Sequence, residues 1–110
     1  MDGDTHLLLR IFIGEDDRFE GRPLFQEIIE LLRSRDLAGA TVLKGIEGYG
    51  KSTRLHASSI LRLSEDLPIV IECVDREERI EAILPELDGM IGDGLVTTER
   101  VRVRTYRGTR

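Results

Sequence analysis

The residues with the clearest capacity for chemistry lie in a glycine-rich segment near the middle of the chain. Residues 45–52 (GIEGYGKS), from Gly45 to Ser52, match the pattern G-x-x-x-x-G-K-[ST], in which backbone N–H groups and a lysine surround a phosphate. A strand pattern precedes the segment, and Asp75 follows a later apolar run, where a magnesium-binding aspartate would stand. One hypothesis is therefore a P-loop-type ATP-dependent phosphotransferase. It needs a larger parallel sheet and a helix that starts at Lys51, but the residues after Ser52 form a poor apolar stripe.

A second group of candidate residues lies at the C-terminus. Five arginines occupy the last eleven positions: Arg100, Arg102, Arg104, Arg107 and Arg110. Their forked donors suit phosphate oxygens, although alternating arginines also fit the solvated face of an edge strand. The net charge of −5 argues against a protein that coats DNA or RNA, so no nucleic-acid partner is expected. A local anion site on an acidic protein is compatible with both observations.

Other kinds of site find little support in the composition. The chain has two histidines, His6 and His56, and one cysteine, Cys73, whereas a closed zinc site usually takes four such ligands. No Ser/His/Asp or Cys/His set and no pair of carboxylates can be assigned a catalytic role. We therefore expect a binding protein that is not an enzyme and has no metal site of its own.

The sequence also predicts where the protein resides. No apolar run approaches the ~20 residues that span a bilayer, and no signal peptide is visible at the N-terminus. Cys73 lies in an apolar run, which indicates a small core residue and a reducing compartment. We expect a cytoplasmic protein without direct membrane insertion.

Hydrophobic patterning predicts four strands and two helices. The strands are residues 7–13, 40–46, 69–74 and 95–106. The first helix begins at Pro23 and ends near Gly39. The second follows Asp75, which stands three residues before Glu78 in the spacing of a capping box, and Pro85 should kink it or start a new turn.

The order strand, helix, strand, long loop, strand, helix, strand is typical of the ferredoxin-like βαββαβ fold. This α+β plan has a four-stranded antiparallel sheet, two helices on one face and a long loop after the second strand. We expect a single domain over residues 1–110, with the long loop at about residues 47–66. The other sheet face is left uncovered, and its apolar residues favour oligomerisation.

Three motifs, in this order, resemble those of the PII signalling superfamily, most closely its PII-like branch of small uncharacterised bacterial and archaeal domains. Gly48-Tyr49-Gly50-Lys51 is similar to the Gly-Phe-Gly-Arg at the base of the PII T-loop. Leu67-Pro68 is similar to the Leu-Pro that starts the third PII strand. Gly92-Asp93-Gly94, followed by Arg102-Val103-Arg104-Thr105, is similar to the PII Gly-Asp-Gly turn and the terminal Arg-x-Arg-Thr. The resemblance covers nearly the whole chain.

The resemblance implies a homotrimer that binds an adenine nucleotide (AMP, ADP or ATP) between subunits, with Mg²⁺ as a possible companion of the phosphates. It also implies that the long loop changes conformation on binding and docks on a protein target, a transporter or an enzyme. The implied nucleotide-binding residues are Gly48, Tyr49, Gly50, Lys51, Gly92, Asp93, Gly94, Arg102 and Arg104. Among these, glycines would let the backbone approach the ligand and arginines would reach its phosphates, whereas Tyr49 could stack on the base or anchor the loop.

Some positions depart from the PII pattern. PII proteins have phosphate-binding lysines after the Leu-Pro and after the Gly-Asp-Gly, where this chain has Ile69 and Leu95. Ser52 replaces the T-loop glutamine that serves metal and 2-oxoglutarate binding. Polyphosphate binding should therefore be weaker than in PII proteins, so AMP or ADP fits as well as ATP. A ferredoxin-like scaffold without a ligand remains a third hypothesis.

Overall fold

The computed structural model describes residues 5–49 and 66–108. Within these ranges the chain forms six strands and two helices. They are β1 (His6–Gly14), β2 (Arg18–Phe19), β3 (Arg22–Pro23), α1 (Leu24–Ser34), β4 (Thr41–Lys44), β5 (Pro68–Arg76), α2 (Glu77–Met90) and β6 (Leu95–Val101). Neither helix of this part of the chain is long and apolar enough to cross a membrane. Most of the predicted long loop lies outside the described residues.

Four strands form one sheet in the order β4-β5-β1-β6, and every neighbouring pair is antiparallel. Both helices pack on the same face of this sheet. This is the ferredoxin-like arrangement, so the predicted α+β fold class is confirmed. A short hairpin of β2 and β3 was absent from the sequence-based prediction. Its turn residues Glu20 (φ 52°) and Gly21 (φ 81°) both have left-handed backbone, as a type I′ turn requires.

The core lies between the sheet and the two helices. Alternate residues of β1 and β5 point into it, because successive side chains of a strand face opposite sides. The buried set is Leu7, Leu9, Ile11, Ile13, Leu24, Ile28, Leu32, Ile69, Ile71, Cys73, Ile80, Ile83 and Leu87. Each large aliphatic side chain of this kind contributes about 1.5–3 kcal/mol relative to exposure, so this layer is the main source of stability. The other residues of the strands form the open face of the sheet, which no helix covers in the described ranges.

Strand lengths differ from the prediction because pairing, and not local pattern, sets them. β5 extends to residues 68–76, since it pairs with β1 from Gly14 opposite Pro68 to His6 opposite Arg76. β6 stops at Val101, since its partner β1 begins at His6, which pairs with Val101. Residues 102–108 have no regular secondary structure, so the predicted strand over residues 95–106 is too long. β4 is also shorter than the predicted residues 40–46.

The first helix begins one residue later and ends earlier than predicted, at Ser34 and not near Gly39. Asp36 adopts a left-handed conformation (φ 61°), and the Leu37 N–H donates to the Leu32 carbonyl (3.1 Å). This is the Schellman arrangement, in which a left-handed residue ends the helix. Asp36 therefore takes the position that the prediction gave to Gly39.

The second helix lacks the predicted capping box. Arg76 is the residue before the helix, no side chain caps the first turn, and Asp75 still belongs to β5. The strand continues through Asp75 because it pairs there with Leu7 of β1. α2 also continues through Pro85 and does not start again there.

Candidate functional site

The predicted glycine motifs lie at one end of the sheet, where β1 ends and β5 and β6 begin. A Cβ atom on Gly48 would lie 3.2 Å from Pro68 Cγ, which places Gly48 beside the start of β5. A Cβ atom on Gly94 would lie 2.8 Å from the Phe12 carbonyl oxygen, so only glycine fits there without a shift. β4 and β6 are opposite edges of the sheet, so β5 and β1 separate the two motifs by about 14 Å. We define this region as the glycine end.

The predicted arginines lie at the opposite end of the sheet, which we define as the arginine end. The seven residues of β6 separate the Gly-Asp-Gly turn from Arg102, a span of about 20 Å. Arg102 and Arg104 are exposed, and neither has an ion-pair partner within the described ranges. Because β6 ends at Val101, both residues lie beyond the strand, and strand alternation does not fix their relative orientation.

One copy of the chain therefore does not bring the predicted glycine and arginine residues together. Of the predicted residues, Gly48, Tyr49, Gly92, Asp93 and Gly94 lie at the glycine end, and Arg102 and Arg104 lie at the arginine end. Gly50 and Lys51 lie outside the described residues. A site that uses both ends needs two copies of the chain.

A cavity of about 1100 Å³ opens at the arginine end. Its wall combines the start of β1, the end of β5, the loop before β4 and the C-terminal tail. Arg104 and Tyr106 of the tail line it, and so do Gly39 and Thr41 on the opposite side. Its volume is comparable with that of small-molecule and cofactor sites. The arginine end thus offers a concave surface with a cation in its wall.

Asp75 fixes one wall of this cavity. The Ala38 N–H donates to Asp75 Oδ2 (2.8 Å), and the Arg79 guanidinium lies 3.8 Å from Asp75 Oδ1. Arg79 also donates to the Asp36 carbonyl (2.9 Å), so β5 and α2 together hold the loop between α1 and β4. Asp75 is mostly buried and engaged in these contacts. It is therefore poorly placed to be the magnesium ligand that the phosphotransferase hypothesis needs.

Cys73 also lines the cavity, and its thiol is not activated. Burial, and after it the charge of Asp75, raise the pKa of the Cys73 thiol to about 11, against a smaller opposing hydrogen bond from the Gly39 backbone. A thiol with this pKa stays protonated at neutral pH and is a poor nucleophile. This agrees with its prediction as a small core residue.

The segment that matches the P-loop pattern follows β4, an edge strand of an antiparallel sheet. A P-loop needs a parallel sheet, and all strand pairs of this sheet are antiparallel in the described ranges. The Gly45 N–H donates to the Pro68 carbonyl (2.7 Å). This hydrogen bond joins the two stems of the long loop, so the Gly45 N–H is not available to bind a phosphate. Lys51 and Ser52 lie outside the described residues.

The open face of the sheet carries a charged group at its centre. Arg10 donates through Nε to Glu72 (2.9 Å) and through Nη1 to Glu99 (3.0 Å), and thereby bridges β5, β1 and β6. The hydrogen bond to Glu72 raises the pKa of Arg10 above its ordinary value. Strand register places one group of apolar side chains on each side of this network. The group towards the arginine end is Leu8, Val74 and Val101, and the group towards the glycine end is Phe12, Val70, Leu43 and Leu95. The face is thus apolar with a polar centre.

The two positions without a PII-type lysine differ in environment. Ile69 faces the helices and is only 3% exposed, whereas Leu95 is 55% exposed at the start of β6. A cation is therefore missing from the surface of the glycine end at Leu95. Among the described residues, no group of three or more His, Cys, Asp or Glu side chains could hold a metal ion.

Sequence reasoning missed the cavity residues that come from the loop before β4 and from the end of β5. A usable signal existed for Asp75, since it continues the alternation Ile69, Ile71, Cys73 and therefore had to be buried and partnered. No signal of this kind marks Gly39 or Thr41, because only the tertiary fold brings that loop to the tail.

Comparison with known proteins identifies close relatives in sequence. The profile of the DUF190 family, described as Uncharacterized ACR, matches residues 6–103. A UPF0166 protein of Aquifex aeolicus is 43% identical over 96 residues, which are 87% of this chain and 90% of the relative. A UPF0166 protein of Methanocaldococcus jannaschii is 43% identical over 102 residues, 92% of each chain.

Solved structures with the same fold are more distant in sequence. CPII of Thiomonas intermedia K12, bound to ADP and bicarbonate, superposes with a TM-score of 0.52 at 20% identity over 88% of each chain. The structure of CPII described as a nitrogen regulatory PII-like protein, bound to ADP, AMP and bicarbonate, gives 0.53 at 18% identity over 94% of this chain and 97% of that one. This likeness establishes the PII-like ferredoxin fold.

Proposed function

We propose that this chain, which belongs to the DUF190 family and has the PII-like ferredoxin fold, is a cytoplasmic regulatory protein that binds adenine nucleotides between its subunits. AMP, ADP or ATP occupies a site made by the glycine end of one subunit and the arginine end of its neighbour. Residues 47–66 then signal occupancy to a protein target, a transporter or an enzyme.

The observation that carries this proposal is the division of the predicted binding residues between two ends of one sheet. About 20 Å of β6 separate the Gly-Asp-Gly turn from Arg102, which is too far for both to contact the phosphates of one nucleotide. Two copies of the chain in head-to-tail contact bring one glycine end to one arginine end. Repetition of this contact around a three-fold axis closes a ring with three equivalent sites.

The chemistry of the two ends is complementary. The glycine end offers backbone N–H groups at Gly92 and Gly94, where exposed turns can bind anions. The arginine end offers Arg104 in a cavity with Tyr106, whose ring can stack on a base. Leu95 stands where a PII lysine would add a cation, so we expect weaker dependence on the number of phosphates than in PII proteins.

The open face of the sheet supports assembly into a homotrimer. It exposes apolar side chains on both sides of Arg10, including Leu43 (48%) and Leu95 (55%). Exposed apolar groups of this extent mark interaction surfaces in soluble proteins. The Arg10 network would be desolvated at the three-fold axis, where its internal ion pairs offset two of its three charges and leave one carboxylate uncompensated per subunit.

Relatives in structure support the ligand class. CPII was solved with ADP, and in a second structure with ADP and AMP. A nucleotide regulates a loop only if it binds two loop conformations with different affinities. Both stems of the long loop meet the glycine end, where Lys44 pairs with Glu15 (2.9 Å) and the Asp16 N–H donates to Asp66 (2.7 Å). A ligand at this end is therefore adjacent to the stems of the loop.

The proposal is tested by light scattering for mass and by calorimetric titration with AMP, ADP and ATP. We expect the mass of a trimer and saturable binding of at least one of these nucleotides, with three sites per trimer and no sustained turnover of ATP in the presence of Mg²⁺. A monomer at micromolar concentration would contradict the assembly. A trimer that binds none of the three would indicate a scaffold, and sustained Mg²⁺-dependent ATP turnover would indicate a phosphotransferase.

A further inference from the structure

His6 is a buried polar side chain in the wall of the cavity and is not one of the predicted nucleotide-binding residues. Its relative solvent exposure is only 8%, and it lines the cavity at the arginine end. Its imidazole has no hydrogen-bond or ion-pair partner in the described part of the chain. Buried polar side chains normally have a partner, because an unsatisfied group loses its hydration without compensation. An unpartnered imidazole in the wall of a cavity therefore indicates a ligand that is absent from the free chain.

The position of His6 places that ligand near the C-terminal tail. His6 pairs with Val101, the residue at which β6 ends and the tail begins. Arg104 is three residues further on, so its backbone lies within about 11 Å of Val101. A group bound by Arg104 in this cavity therefore lies close to His6.

The cavity around His6 is lined by equal numbers of acidic and basic side chains, and most of them have partners. Charged side chains that face it or the same cavity are Arg10 on β1, Glu72, Asp75 and Arg76 on β5, Arg79 on α2, Asp36 in the loop before β4, and Arg104 in the tail. Two of the acids are already engaged, since Glu72 accepts from Arg10 (2.9 Å) and Asp75 accepts from the Ala38 N–H (2.8 Å). Arg79 and Arg76 likewise have acidic partners, Asp75 (3.8 Å) and Glu78 (3.3 Å), which leaves Arg104 as the cation of the lining for a phosphate group.

We propose that His6 is a further nucleotide-binding residue, whose imidazolium form donates to a phosphate oxygen beside Arg104. This inference rests on the proposed function and adds a regulation to it. A neutral imidazole carries one N–H donor and an imidazolium carries two with a full charge, so the protonated form binds an anion more tightly. Nucleotide affinity consequently rises as the pH falls from 8 to 6, so the occupancy of the site depends on pH as well as on nucleotide concentration.

The test is calorimetric titration with ADP at pH 8 and pH 6 on the wild-type chain and on His6→Gln. Relative to His6→Gln, the wild-type chain should gain about tenfold in ADP affinity between pH 8 and pH 6. A gain of this size corresponds to the lower end of the free energy that one charge-assisted hydrogen bond contributes. The comparison with the variant removes the contribution of the phosphate's own protonation, which is common to both chains. His56→Gln is the matched control, because it removes the other histidine of the chain and should keep the full gain.

A second measurement covers the case in which His6→Gln does not fold. Titration of His56→Gln near pH 6.5 in buffers of different ionisation enthalpy measures the protons taken up on ADP binding, and uptake beyond that of the ADP phosphate itself then belongs to His6. Absence of this uptake, or an equal pH gain in wild type and His6→Gln, would overturn the inference while leaving ADP binding intact. Absence of binding of ADP, AMP and ATP alike at both pH values would overturn the proposed function as well.

Discussion

At the scale of single residues, the structure separates two arginines that the sequence treats as equivalent. Arg104 lines the cavity at the arginine end and Arg102 does not. Because β6 ends at Val101, the alternation that would have put both on one face is lost. Local sequence pattern could name both residues as phosphate ligands, but only the end of strand pairing at His6 distinguishes them.

This difference gives a prediction for phosphate recognition. Replacing Arg102 and Arg104 together by Gln keeps their length and removes their charge, so ADP affinity should fall by at least about tenfold, or 1.4 kcal/mol. Most of the loss should come from Arg104→Gln alone, and Lys51→Gln should cost less than the double change. Arg107→Gln, in the same tail but outside the cavity wall, is the matched control. Loss of binding in Lys51→Gln with a silent double change would contradict the site assignment.

The Gly-Asp-Gly turn offers a second prediction at this scale. A Cβ atom on Gly94 would lie 2.8 Å from the Phe12 carbonyl oxygen and 2.9 Å from Ile91 Cγ2, whereas one on Gly92 meets nothing within 4 Å. Gly94→Ala must therefore displace the backbone, and we expect it to lower the free energy of unfolding by about 1–3 kcal/mol. Gly92→Ala, the control in the same turn, should change it by less than about 0.5 kcal/mol. Thermal or urea unfolding of both variants makes this comparison, and equal stabilities would show that the turn is not tightly packed on β1.

At the scale of elements, the existence and type of the main strands and helices followed from hydrophobic periodicity. Their ends did not, because they depend on partners distant in sequence. β5 is longer than its apolar pattern since β1 pairs with it as far as Arg76. Asp75 was interpreted as a helix cap from its spacing to Glu78, but the strand carries its side chain towards the core, where Ala38 and Arg79 satisfy it. The β2–β3 hairpin was missed because its strands have two residues each and no periodicity to detect.

The open face of the sheet carries a prediction about assembly. Arg10 bridges Glu72 and Glu99, so Arg10→Ala leaves two like charges, on the strands either side of β1, on the face that the proposed trimer would bury. Removing one member of a buried charged group leaves its partners uncompensated, and subunit association should weaken by at least about tenfold. Sedimentation or light scattering over a dilution series measures the change. Arg33→Ala, an exposed arginine on α1 with only a 3.9 Å contact to Glu30, is the control and should leave the mass unchanged. Equal dissociation of both variants would place the interface elsewhere.

At the scale of the whole molecule, the candidate site could be predicted only in part. Short motifs point to phosphate-binding residue types, but they do not state whether those residues meet within one chain. The sheet puts the glycine end and the arginine end at opposite ends of β6, so a site that used both would require the geometry of an assembly. The cavity at the arginine end was likewise invisible in the sequence, since its walls come from four separate segments.

The measurement that tests the central claim most directly is complementation between two half-site variants. A side chain at position 92 would meet nothing within 4 Å of its Cβ atom, so Gly92→Glu should not harm the fold. Its negative charge should repel phosphate at the glycine end. Arg102→Gln with Arg104→Gln disables the arginine end. Each variant alone should bind little ADP. After joint unfolding and refolding of an equal mixture, about one quarter of the inter-subunit sites combine two intact ends. We predict recovery of ADP binding with wild-type affinity at about that stoichiometry. A mixture that binds no more ADP than the separate variants would contradict a site shared between subunits.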